Sequence, residues 1–259
     1  MSLKDAIKAR KTGSDAVPSV LNALLPGIVS KFNSEVAPKL LSRLPTETLP
    51  ESPRAASSFR TRVSLLVEYS FIELLSEYLS KTSPGLNVTF NTTNEFADFF
   101  IRNNRWDVEL RVDIKTLHDL SDEASARYTA LQQSINHQDD YLLYLAWQWR
   151  ELDYSGVNVI IPAVIGSVFI PCIEVAQERD RHRLLSGGSF DRKGYPLTSS
   201  GLRDTNFGKL NRLVHKQRRG ASDLSPRLRQ LLGLLNYQVA ARAGMPAEMH
   251  EVESLAESA

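Results

Sequence analysis

The chain has 259 residues, 42% hydrophobic and 24% charged, with a formal net charge of +1 and a single cysteine. That length can bury a substantial core in one large domain or two small ones, and Cys172 alone excludes an intrachain disulfide and any multi-thiolate zinc site. The longest apolar stretch, Val157 to Val175, is interrupted by Pro162, Gly166, Ser167 and Pro171 and cannot serve as a membrane-spanning helix. The first eleven residues carry charges but no apolar h-region, so a cytoplasmic protein with no membrane partner is expected.

The first fifty residues read as a helical extension. Val20, Leu21, Leu24, Leu25, Ile28 and Val29 recur at helical spacing, and a second amphipathic run follows from Val36 to Leu44, with Pro26 and Pro38 as points of kinking or shortening. Pro45 to Arg54 holds three prolines among polar residues and marks a loop or linker, which sets a soft boundary between residues 1–50 and a main domain over 51–259. From Ser57 or Ser58 to about Ser80, Val63, Leu66, Val67, Phe71, Leu74, Leu75 and Tyr78 give one apolar helix face, ended by Ser83-Pro84-Gly85.

Strands are expected next. Leu86 to Thr92 alternates and is rich in β-branched residues, Phe96 to Ile101 is a second strand, Arg102-Asn-Asn-Arg105 a hairpin turn, and Trp106 to Leu117 a third strand. A helix over Ala124 to Ile135 precedes strands at Tyr141 to Trp149 and Val157 to Ile161, with Phe169 to Val175 as a further candidate. The order predicts an α/β or α+β fold, a sheet covered by helices. Near the end, Ser225-Pro226 reads as a helix cap followed by proline at the first helical position.

Charge is unevenly distributed. Arg179 to Arg229 contains thirteen Lys or Arg against four Asp or Glu, among several glycines, whereas Glu248 to Ala259 carries four Glu and no basic residue. A basic, glycine-broken segment is either a solvated loop or a surface for phosphates. Arg192, Lys193, Arg203, Asn206 and Lys209 are its candidate DNA contacts, since Arg and Asn can also read guanine and adenine edges.

The chemistry is sought in Asp107-Val-Glu-Leu-Arg-Val-Asp-Ile-Lys-Thr116. A strand here puts Val108, Leu110, Val112 and Ile114 on one face and Asp107, Glu109, Arg111, Asp113 and Lys115 on the other. Across the hairpin, Asp98 is one acid among apolar residues, and a buried acid needs a partner or a metal. If the strands pair, Asp98 and Asp113 converge with Lys115 alongside. Two carboxylates suit Mg²⁺, which keeps several waters and accepts phosphate oxygens. Asp98 and Asp113 are therefore the expected metal ligands, with the Ile114 carbonyl as a further one. Lys115 is the electrostatic partner of the phosphate, and Glu68 on the preceding helix an outer carboxylate.

These residues resemble the PD-(D/E)xK nuclease superfamily, in which a helix precedes a hairpin carrying an acid and an acid-x-lysine triplet follows on the next strand. Asp98 looks like the first acid and Asp113-Ile114-Lys115 like the triplet; the resemblance covers roughly residues 59–149. Ala97 stands where proline is usual and Asp113 where Glu is common, and both departures leave the oxygen ligands in place. The resemblance implies a restriction-endonuclease-like mixed central sheet flanked by helices. By analogy with type II restriction endonucleases, it also implies Mg²⁺-dependent cleavage of a specific double-stranded DNA site by a homodimer. Two other readings stay open: a structure-specific repair or recombination nuclease, and a non-catalytic DNA-binding protein whose charged strand merely faces solvent. Asp191-Arg192-Lys193 repeats the triplet without a strand or an upstream acid, and the five histidines form no pair at metal-ligand spacing.

Overall fold

A computed structural model describes residues 1–93, 96–118, 139–175, 225–231 and 233–234. Its elements are α1 (Leu3–Arg10), α2 (Val17–Lys31), a single π-helical segment (Phe32–Val36), α3 (Ala37–Leu40), α4 (Pro53–Thr82), β1 (Asn87–Phe90), β2 (Phe99–Arg102), β3 (Val108–His118), β4 (Asp140–Tyr154) and β5 (Val157–Pro171). The strands form one mixed sheet in the order β1-β2-β3-β4-β5, antiparallel except for the parallel pair β3–β4. With helices flanking the sheet, the architecture is mixed α/β. No helix among the described residues is long and apolar enough to cross a membrane.

Helix α4 begins earlier than the spacing of apolar residues suggests. The Ser52 hydroxyl accepts from Ala55 N at 3.2 Å and Pro53 takes the first turn, where its missing N–H costs nothing, so the last proline of the loop starts the helix. Val63, Val67, Phe71, Leu74 and Leu75 then bury one face. The N-terminal Leu3–Arg10 segment, read from sequence only for export signals, is a helix with the same logic. Ser2 caps it by accepting from Asp5 N at 3.2 Å, and Leu3, Ala6, Ile7 and Arg10 bury one stripe. Leu3, Ile7, Leu21, Leu25, Ile28 and Phe32 belong to the same apolar cluster as Phe71, Val112, Tyr141 and Phe169, so α1 and α2 pack onto the sheet.

The sheet is covered on both faces where it matters for the site. Val112, Ile114, Tyr141, Leu143, Leu145 and Trp147 join the cluster with α4, and Trp147 Nε1 donates to Ser64 Oγ of that helix at 2.9 Å. On the other face Leu142, Tyr144, Val168 and Ile170 are buried, as are Leu228 and Leu231 of the helical residues 226–231. Ser225 caps that helix, accepting from Leu228 N at 3.1 Å, as its sequence signature predicts. Leu234 lies so close over Gly166 that any side chain there would collide with it.

The two strand candidates at Val157 to Ile161 and Phe169 to Val175 are one strand, β5, through Pro171, after which residues 172–175 turn helical. A bulge opposite Ala146 and Trp147 absorbs one extra residue. Pro162 is tolerated because β5 is an edge strand. That edge is sealed by side chains: Asn33 donates to Val164 O and accepts from Val164 N, both at 2.8 Å, and Asn22 does the same for Phe169 at 2.7 and 2.8 Å. Ile160 is bridged by the Arg43 backbone.

Candidate functional site

The site forms where β2 stops and β3 continues. Pairing between them runs from Arg102–Val108 to Phe99–Val112, and Asp98 N adds a last bond to Val112 O at 3.0 Å. Beyond Val112 the β2 side of β3 has no strand partner. The Asp98 carboxylate takes its place, its Oδ2 accepting from Ile114 N at 2.7 Å. Because the N–H and C=O of a strand residue point to the same side, the Ile114 carbonyl faces this open edge too.

Asp113 and Lys115 share the opposite face of the strand from Ile114 and are ion-paired. Both are nearly buried, with side-chain exposures of 13% and 14%. The Asp113 Oδ2 has the Lys115 ammonium beside it but no well-directed hydrogen-bond donor. The same ammonium reaches the Ile114 carbonyl at 3.3 Å, so it touches two of the oxygens expected to hold a metal. From α4, Glu68 comes in half-buried, its Oε2 accepting from Thr116 Oγ1 at 3.4 Å.

Electrostatics follow from this crowding. Burial, and then the Asp98 charge, push the Glu68 carboxyl up to about 7, against the opposing pull of Lys115 and Thr116. Burial also raises Asp113, to about 6, with Asp98 adding to the rise and Lys115 opposing it. Burial alone would lower the Lys115 ammonium, but Asp113, Asp98 and Glu68 around it raise it instead. Tyr144 of β4 is buried against this face, and its hydroxyl is held well above the usual range by burial and then by Asp113.

The structure thus brings together Glu68, Asp98, Asp113, the Ile114 carbonyl and Lys115. Arg192, Lys193, Arg203, Asn206 and Lys209, the candidate DNA contacts, lie outside the described residues, as do the helix expected over Ala124 to Ile135 and the second triplet at Asp191. Sequence reasoning missed Thr116 and Tyr144. Thr116 had a signal, since it follows the triplet directly and shares the Ile114 face toward α4; Tyr144 had none, because the parallel register that sets it opposite Lys115 is tertiary information. Nor was it legible that Asp113 and Glu109 would be buried, at 9% and 8% exposure, instead of facing solvent.

Among the described residues no group of three or more His, Cys, Asp or Glu is arranged to hold a metal by itself. Two carboxylates and one backbone carbonyl are nevertheless a sufficient protein share for Mg²⁺, which draws its remaining ligands from water and substrate phosphate. The donor chemistry fits: all the oxygens are hard, one is buried without a proper donor, and three carboxylates face a single ammonium. No protein-family model matches this chain, and no curated protein matches it.

Proposed function

We propose that this chain is a Mg²⁺-dependent endonuclease with a restriction-endonuclease-like fold, hydrolysing phosphodiester bonds at a specific double-stranded DNA site as a homodimer. The observation that carries the reading is the meeting of Glu68, Asp98, Asp113 and Lys115 at the open edge of β3, drawn from α4, the residue before β2, and β3 itself. Fully ionised, three carboxylates and one ammonium leave two negative charges uncompensated in a half-buried place, and a divalent cation balances them. Helix, acid-bearing hairpin and acid-x-lysine strand occur in the order of the superfamily that the sequence resembles. The restriction-type specificity and the two-fold assembly rest on that resemblance.

Asp98 and Asp113 would hold the cation with the Ile114 carbonyl. Bound there, Mg²⁺ supplies charge neutralisation at the phosphate and activation of water. Lys115 then turns from Asp113 toward the phosphate and stabilises the charge that develops on its oxygens. Glu68, with a carboxyl raised to about 7, is matched to accept a proton at neutral pH. Asp98 serves a second purpose: by accepting from Ile114 N it fixes the carbonyl of the same residue on the metal side of the strand.

The reading is tested by incubating the protein with long, sequence-diverse DNA in Mg²⁺, with EDTA and Asp113→Ala controls. Discrete fragments that require Mg²⁺ and vanish in the variant are expected. Cutting that survives both Asp113→Ala and Lys115→Ala would sink the assignment.

A further inference from the structure

A second charged surface lies at the far end of β3. The groove between α1 and the β2–β3 hairpin encloses about 780 Å³ and is lined by Lys4, Lys8, Lys11 and Arg105, with Asp107 and Glu109 as its acids. Lys11 is spent on Glu109, at 2.7 Å, and Asp107 takes a bond from Asn103 Nδ2 at 3.1 Å. Lys4, Lys8 and Arg105 are exposed and have no carboxylate at ion-pair distance among the described residues. Lys4 and Lys8, four residues apart, stand above one another on the same helix face.

At the groove's end, the hairpin tip holds Trp106, 62% exposed and at a φ of 65°. A bulky side chain avoids that left-handed region, and it persists only where the surroundings enforce it. Here they do. The Asn103 side-chain oxygen accepts from Arg105 N at 2.8 Å and Asp107 N at 3.1 Å, and the Asn103 carbonyl accepts from Trp106 N at 3.0 Å. Arg102 Nη1 clamps the Trp106 carbonyl at 2.8 Å. Among the described residues the Trp106 side chain is left largely to solvent.

We infer that the α1–hairpin groove is a second DNA-binding surface, in which backbone phosphates lie against Lys4, Lys8 and Arg105 while the Trp106 indole packs on a nucleotide at the tip. It rests on the nuclease reading and extends it. Val108 is five residues from Asp113, roughly 17 Å along the strand, which is about half a turn of B-form duplex. A duplex that meets the carboxylate cluster is long enough to span that distance as well. Unpaired cations supply the sequence-independent grip, and an exposed indole supplies an apolar side chain that can wedge against a base step of the duplex.

The test is fluorescence anisotropy of a labelled 30-base-pair duplex with the full chain in EDTA, which prevents cleavage, over a series of salt concentrations. The triple variant Lys4→Ala, Lys8→Ala, Arg105→Ala should flatten the dependence of log affinity on log salt by about 0.9 for each phosphate that is no longer neutralised. Trp106→Ala should weaken binding about tenfold, the loss of one partly buried apolar contact, with the slope unchanged. In the unmodified protein, bound duplex should shield the exposed indole from acrylamide quenching, a readout that needs no variant. If the unmodified protein binds duplex but the variants share its affinity and slope, or quenching is unaltered, the groove proposal falls and the nuclease reading stands. If the unmodified protein binds no duplex, the groove proposal falls, and the nuclease reading is decided separately by the Mg²⁺-dependent cleavage assay.

Discussion

The outer edge of β5 and the open side of β3 both lack a neighbouring strand among the described residues, and the molecule treats them in opposite ways. Along the outer edge of β5, Asn22 and Asn33 stand in for a missing strand; each side-chain amide gives one donor and one acceptor to a single backbone residue, and no charge enters. At the open side of β3, Asp98 stands in for a missing β2. A carboxylate can only accept, so it satisfies Ile114 N and leaves the Ile114 carbonyl to the Lys115 ammonium. An asparagine at position 98 would have sealed both groups, as it does twice elsewhere in the same sheet. The choice of Asp leaves an open carbonyl, an uncompensated charge and two carboxyls shifted upward, which is a poor way to finish a sheet and a good way to hold a cation.

The largest effect is expected from making the two edges alike. Asp98→Asn should keep the Ile114 bond and the fold, visible as an unchanged circular dichroism spectrum, while Mg²⁺-dependent cleavage falls by at least about a thousandfold, several kcal/mol of transition-state stabilisation. Equal cutting by this variant would show that the Asp98 charge has no part in the chemistry. The reverse exchange, Asn22→Asp or Asn33→Asp, removes the donor to a β5 carbonyl and puts a charge in a part-buried edge. It should cost about 2–3 kcal/mol in denaturant unfolding, with cleavage per folded molecule unaffected.

Metal linkage comes next in size. At pH 8 a Mg²⁺ concentration a hundred times the dissociation constant should stabilise the fold by about 2.7 kcal/mol, and EDTA should reverse it. At pH 5 the gain should largely vanish, because Asp113, raised to about 6, is then protonated and no longer ligand-competent, and Glu68, raised to about 7, no longer adds its negative charge beside the cation. A thermal shift equal at both pH values would contradict the placement of the cation on these groups.

The smallest effect is expected in the absence of metal. A carboxyl raised on folding gives stability that is complete below its unfolded value and is lost as pH rises through its folded value. For Glu68 the window runs from 4.5 to about 7. Glu68→Gln should therefore stabilise the metal-free protein at pH 8 by on the order of 1 kcal/mol, after discounting for its partial solvent contact, and change little at pH 4. Destabilisation at pH 8 would mean that the Thr116 contact outweighs the crowding of charge.

Much of the frame was written locally. The period of the apolar residues marked α4, the alternation after Leu86 marked the hairpin strands, and Ser225-Pro226 marked a helix start, because each depends on neighbours within a few residues. Asp98, Asp113 and Lys115 were singled out for a similar reason: an acid inside an apolar run and an acid-x-lysine triplet on a strand are visible in the order of residues. Helix α1 was legible as well, in the Ser2 cap and the Leu3, Ala6, Ile7 stripe, once the segment is read for packing.

Only the tertiary structure decided the rest. Whether the charged face of β3 met water or protein depended on what packs against it, and Tyr144, whose hydroxyl feels the Asp113 charge, comes from a position 29 or more residues away in the chain. That β2 starts only at Phe99, so that the Asp98 carboxylate and not a strand meets Ile114, is a matter of register between strands. The left-handed Trp106 is set by hydrogen bonds closing a loop. Sequence determined which groups carry charge and which segments carry helix or strand. Burial, and with it the upward shift of Glu68 and Asp113, came from long-range packing, because desolvation depends on which distant segments exclude water from a side chain.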